Sequence, residues 1–187
     1  GPLVRVPSPG LPPLSLDESE INTKSGEETA FWILYQMISI TLPADYYTYS
    51  HVHVATGDSE ARVDKTLALL GVRTDCALLT GLVESKLPLL ATHLKNHDIN
   101  TAVVCLPWLM CMFIQTLPLE SAFRVWDLVI SEGSGVLISV SLALLSLHQR
   151  YLLTLGEMEL YPALTNLGKH LYDVDTVIKL ALRKFAL

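Results

Sequence analysis

Apolar residues recur at helical spacing along most of the chain. From Leu119 to Ser131, Leu119, Ala122, Phe123, Trp126, Val129 and Ile130 share one face, while Glu120, Arg124, Asp127 and Ser131 fall mostly on the other, which predicts an amphipathic helix. Pro118 suits its first turn and Gly133 its end. The apolar face is read as buried, with Trp126 as its core anchor, and Arg124 has Glu120 and Asp127 as intramolecular partners one turn away. Two more strongly apolar segments flank it, 99–117 and 135–155. Ser134 stands at the N-cap position of the second. Residues 136–147 are apolar almost all round, so a central, enclosed helix is expected there, about 30 Å long if it continues to Leu155.

Upstream, Ser25-Gly26-Glu27-Glu28 has the form of a capping box and predicts a helix start. Ala30, Phe31, Leu34, Met37, Ile38 and Thr41 form its buried stripe, and Pro43 stops it. Residues 44–58, with Tyr46, Tyr47, Tyr49, His51 and His53, lack a helical period and read as a loop whose tyrosines anchor in the core. Val63, Leu67 and Leu70 suggest a short helix ending at Gly71. Asn100 or Thr101 can cap the next segment, which is either a short turn to Cys105 followed by a helix from Pro107, or one kinked helix. Gly156 separates the apolar segment from a helix over 157–172. Asp173 or Asp175 opens a last helix to Phe185, where Lys179, Arg183 and Lys184 suit the dipole.

No stretch reads as a sheet with turn signals between strands. The predicted fold class is all-α, an irregular array of about seven to nine helices over residues 25–187. Residues 1–24 are rich in Pro, Ser and Gly and read as a linker or disordered tail, and the opening Gly-Pro-Leu as a protease-cleavage scar.

Composition narrows the partners. The 187 residues are 50% hydrophobic and 17% charged, with a formal charge of −6. That balance speaks against nucleic acid and anionic lipid, both of which need a basic surface. Mean hydropathy of +0.39 is high for a soluble chain and points either to deeply buried helices or to an apolar surface awaiting a partner. The uncharged run 99–119 matches the length of a membrane span, but Pro107 and several polar residues interrupt it. A buried central helix is preferred to a transmembrane segment. Cys76, Cys105 and Cys111 form no C-x-x-C pair and read as reduced thiols of a cytosolic protein.

Candidate chemistry is sparse. His51 and His53 alternate, and His93 and His97 are one helical turn apart, but neither pair has the companion ligands of a zinc site. There is no phosphate-binding G-x-x-x-x-G-K-[ST] loop, no G-x-G-x-x-G and no G-x-S-x-G elbow. Ser134-Gly135 within S-E-G-S-G reads as a helix stop followed by a helix start. No catalytic residue, metal ligand or cofactor is assigned, and no binding residue is identified.

The run W-L-M-C-M-F-I-Q-T-L-P-L-E-S-A-F-R-V-W-D-L-V-I-S-E-G-S-G-V-L, Trp108 to Leu137, resembles the second half of the TBC domain of Rab GTPase-activating proteins. E-E-T-A-F-W (Glu27 to Trp32) and L-P-A-D-Y-Y (Leu42 to Tyr47) are similar to its middle portion. Leu87, Pro88, Leu90, His93 and Leu94 meet its Leu-Pro-x-Leu-x-x-His-Leu spacing, and residues 48–74 look expanded relative to the family. The resemblance implies a C-terminal TBC subdomain whose parent protein stimulates GTP hydrolysis by a small GTPase of the Rab class, in membrane trafficking. Such a protein is cytoplasmic and peripheral to membranes.

Activators of this family insert an arginine and a glutamine into the GTPase active site, carried in I-x-x-D-x-x-R and Y-x-Q motifs. Arg5, Arg62, Arg73, Arg124, Arg150 and Arg183 all lack an aspartate three residues before, and Gln36, Gln115 and Gln149 all lack a tyrosine two before. The chain is therefore expected to be inactive as an activator and not itself an enzyme. Its further expected partners are the N-terminal half of such a domain or a second copy. The alternative is a non-catalytic helical interaction module, a pseudo-activator or adaptor.

Overall fold

The computed structural model describes residues 26–54 and 63–186, and for 49–54 and 63–68 it describes the backbone. The Pro-rich segment 1–24, Ser25 of the capping box, Arg5 and Arg62 lie outside the described residues. The chain divides into two compact units, 1–34 and 35–187.

Helix α1, Gly26–Gln36, places Glu27 and Glu28 in its first turn, where the dipole favours them. It runs into a π-helical turn, Met37–Thr41, closed by a 2.9 Å bond from the Leu42 N–H to the Met37 carbonyl ahead of Pro43. Of the stripe expected to be buried only Met37 is, while Phe31, Leu34 and Ile38 are exposed. The wider π turn rotates the residues that follow off the α-helical stripe.

The next segment corrects the sequence reading. Tyr49–Val54 (β1) and Val63–Ala68 (β2) pair as an antiparallel hairpin, with Tyr49 opposite Ala68 and Val54 opposite Val63. The short helix expected around Val63 and Leu67 is a strand, and part of the expected loop is its partner. Valines at 52, 54 and 63 carry the β preference, but each run has only six residues, too few for a period to stand out.

Gly71 does not end a helix either. Helix α2, Leu70–Lys86, begins beside it after Leu69, whose φ of 58° lies in the left-handed region. Gly71 is needed for close approach, since a Cβ there would meet the Tyr46 Cα at 2.6 Å. Helix α3, Pro88–Asn96, starts on a proline at N1. Helix α4, Thr101–Met110, is capped by Asn100, whose side-chain oxygen accepts from the Ala102 N–H at 2.9 Å, and it carries Pro107 inside. The kinked-helix alternative is the one adopted. The uncharged run is thus a helix, a turn over 111–116 and a new start at Pro118, and it is not the central helix.

Helix α5, Leu119–Glu132, has the predicted limits but a different buried face. Ser121, Ala122, Val125 and Val129 are buried, while Leu119, Phe123 and Ile130 are 54%, 47% and 48% exposed and Trp126 is half-buried. Small and β-branched side chains turn toward α6 because they allow close helix approach, which displaces the bulky stripe outward. Gly133 follows at φ 96° and ψ 177°, a region open essentially to glycine alone.

Helix α6, Gly135–Leu152, is central, and every residue from Val136 to Leu145 is buried. It spans about 27 Å. Ser134 sits in the turn without capping through its side chain, contrary to expectation. Among the described residues α6 is the one helix long and apolar enough to cross a membrane, and 61% of it is buried inside the protein.

Helix α7, Glu157–Thr165, is shorter than expected. The chain turns after it so that Gly168 can approach Thr116, whose carbonyl oxygen would lie 2.8 Å from an added Cβ. Helix α8, Asp175–Lys184, buries Val177 and Ala181, packs on α6 and carries Arg183 and Lys184 in its last turn. The architecture is all-α, eight helices among the described residues, with the hairpin as the exception.

Candidate functional site

Arginine is the side chain an activator of GTP hydrolysis would need, and four arginines are described. Arg73, on α2, and Arg150 and Arg183, in the last turns of α6 and α8, are exposed. Arg124 on α5 forms an ion pair with Asp175 at the start of α8, 3.1 Å from guanidinium nitrogen to carboxylate oxygen. The expected pairing with Asp127 or Glu120 is replaced by this contact, which joins two helices 51 residues apart in sequence. Both α5 and α8 pack on α6, which brings the two side chains within reach of each other. The side chains are 61% and 54% exposed, so water screens the pair and its worth is below about 1 kcal/mol.

Trp126 holds a turn in place. The Trp126 indole N–H donates to the Met112 carbonyl at 2.8 Å. Met112 and Phe113 both have left-handed φ, 46° and 66°, and both are buried. Such a conformation costs about 1–2 kcal/mol per residue, so the surroundings must impose it. They do so through Trp126, through the Phe113 N–H bonded to the Trp108 carbonyl at 2.9 Å, and through the packing of Trp108 near Phe113. Asp127 is exposed, and Gly133 makes the turn into α6.

Tyr46 and Tyr47 anchor in the core as the loop reading expects. Their hydroxyls donate to the Leu109 and Met110 carbonyls at 3.3 and 2.8 Å, near the end of α4. Burial raises both phenol pKa values, with Asp75 adding to the effect at Tyr46 and Cys111 at Tyr47. Burial, then Asp75, pushes the Cys76 thiol up to about 11, and burial also raises Cys105. These thiols are protonated at neutral pH and poor nucleophiles. Burial, then Asp45, raises the Asp75 carboxyl.

The His93 and His97 rings do meet, edge to face at 4.7 Å, although His97 stands just past the end of α3 and not on its face. His93 Nε2 lies 3.2 Å from the Leu155 carbonyl oxygen, which makes it the donor that ties α3 to the chain after α6. No group of three or more potential metal ligands gathers among the described residues. His51 and His53 fall on β1, whose side chains are outside the description. An open cleft of about 630 Å³ between α2, α3 and the turn before α4 carries Glu84, Lys95 and Asp98 on its walls.

A sequence model of the Rab-GTPase-TBC domain matches residues 15–153. The chain belongs to the TBC family. Growth hormone-regulated TBC protein 1 of Rattus norvegicus is 32% identical over 127 residues, which cover 68% of this chain and 37% of that protein. Small G protein signaling modulator 3 of Homo sapiens is 28% identical over 158 residues, covering 84% of this chain and 19% of the relative. A crystal structure of the Chlamydomonas flagellar RabGAP TBC domain superposes with a TM-score of 0.64 at 25% identity, over 87% of this chain and 47% of that one. The chain therefore spans less than half of the length of each of these relatives.

The TBC match accounts for the features that the sequence shares with the family. Trp126 and Gly133 set the geometry of the α4–α5–α6 turns, and the L-P-A-D-Y-Y block delivers two tyrosines to the end of α4. The hairpin falls in the region that reads as expanded relative to the family. Sequence reasoning missed the outward turn of the Leu119, Phe123, Trp126 and Ile130 stripe. Its signal is the small-residue line Ser121, Ala122, Val125 and Val129 beside it.

Proposed function

We propose that this chain is a scaffold segment of a Rab GTPase-activating domain which recognises a small GTPase without itself accelerating hydrolysis. The observation that carries the reading is the lack of a finger. All six arginines lack the preceding aspartate, the three glutamines lack the preceding tyrosine, and Arg124 is engaged with Asp175. Without an arginine to offset charge on the transferred phosphoryl group, a rate effect of about 10³ to 10⁵ is forfeited. The parent protein would gain it from finger-bearing residues elsewhere in the domain. Its work would lie in membrane trafficking, in the cytoplasm and at membrane peripheries.

The adaptor reading, an interaction module that kept the scaffold only, draws support from the exposed apolar ridge of α5. Binding to Rab proteins loaded with a non-hydrolysable GTP analogue separates the two. Nucleotide-dependent binding to at least one Rab supports the scaffold reading. Failure on a broad panel, with the chain folded, supports the adaptor.

A further inference from the structure

We propose that the exposed ridge of α5 docks an amphipathic helix of another protein whose apolar stripe is bordered by lysine or arginine. Leu119, Phe123, Trp126 and Ile130 are spaced four, three and four residues apart, the alternation with which one helix presents a seam to a second. Helix α5 spends its other face, Ala122, Val125 and Val129, on the core, and within the seam Trp126 also holds the Met112 turn, which leaves Leu119, Phe123 and Ile130 as its exposed part. Leu119, Phe123 and Ile130 are about half exposed, and the π turn that packs against α5 adds exposed Ile38 and Ile40. Phe123 and Trp126 stand edge to face at 5.6 Å, and the Met112 bond fixes the indole. Rigid aromatic anchors of this kind lose little entropy on binding.

Charge selects the occupant. Glu120 and Asp127 border the seam at matching positions one heptad apart, both exposed, and among the described residues no hydrogen bond or ion pair engages either. Arg124, the cation that could have neutralised them, is drawn off to Asp175. The seam is therefore apolar with an acidic border. A second copy would set acidic border against acidic border, and anionic lipid would be repelled in the same way. A helix with basic flanks satisfies both the apolar and the charged positions. This inference does not depend on the GTPase reading.

The test uses the intact chain and two synthetic helical peptides of about 20 residues, each with Leu at the seam positions. One has Lys at the flanking positions and the other Glu, and binding is followed calorimetrically. The Lys-bordered peptide should bind at least about tenfold more tightly. Phe123→Ser and Ile130→Ser should each weaken it by at least about tenfold, with thermal unfolding unchanged. Glu120→Lys combined with Asp127→Lys should reverse the preference. No binding, equal binding of both peptides, or binding indifferent to these substitutions would overturn the proposal. So would a sedimenting dimer, or attachment to phosphatidylserine vesicles, that is abolished by Phe123→Ser, since the occupant would then be a second copy or lipid.

Discussion

The indole N–H of Trp126 reaches back 14 residues to the Met112 carbonyl, at 2.8 Å, across a turn in which Met112 and Phe113 are both left-handed. The bond offsets local strain, and its removal has a separable cost. Trp126→Phe, which keeps an aromatic ring but loses the donor, should destabilise by about 1–2 kcal/mol in urea unfolding. Phe123→Ala, one turn away on the exposed ridge, should change stability by less than about 0.5 kcal/mol. Equal losses would place both rings in the core and remove the distinction.

Two glycines of α2 should respond in opposite directions to the same substitution. Gly71→Ala brings a Cβ to 2.6 Å from the Tyr46 Cα and 2.9 Å from its backbone nitrogen, contacts that only a backbone shift can relieve. It should cost about 1–3 kcal/mol. Gly81→Ala meets nothing within 4 Å in mid-helix and should stabilise by about 0.5–1 kcal/mol. Parallel chemical denaturation of the two variants checks the pair.

These positions show what the sequence could and could not reveal. The limits of α5, the burial of α6 and the anchoring of Tyr46 and Tyr47 follow from spacing and residue type, because each is set locally or by overall apolarity. Which of two adjacent stripes on α5 faces inward depends on how closely α6 approaches, a tertiary fact. The role of Gly71 is likewise invisible until Tyr46 is placed beside it. Arg124 has three acidic candidates, and only the position of α8 selects Asp175 over its neighbours Glu120 and Asp127. The hairpin is hidden because Leu67 and Leu70 extend a plausible helical spacing across the strand boundary.

Alkaline pH should unfold the protein earlier than its charge alone would. A thiol whose folded pKa is raised holds its proton more firmly in the native state, so its contribution is complete below the unfolded value and is lost as pH rises through the folded one. For Cys76 the window runs from 9.0 to about 11, and Cys105 and Tyr46 extend it upward. Thermal midpoints should be flat from neutrality to about pH 8.5 and then fall, by up to about 2 kcal/mol of stability from Cys76. Cys76→Ala should flatten the fall between pH 9 and 11. An unchanged slope in that variant would show that its thiol is solvated in the folded state.

Single-turnover GTP hydrolysis by a panel of Rab proteins tests the proposed lack of an arginine finger in this TBC scaffold most directly. Added in excess, the purified chain should leave every intrinsic rate unchanged. A stimulation that disappears when Arg73, Arg124, Arg150 or Arg183 is replaced by alanine would contradict the account and identify the finger.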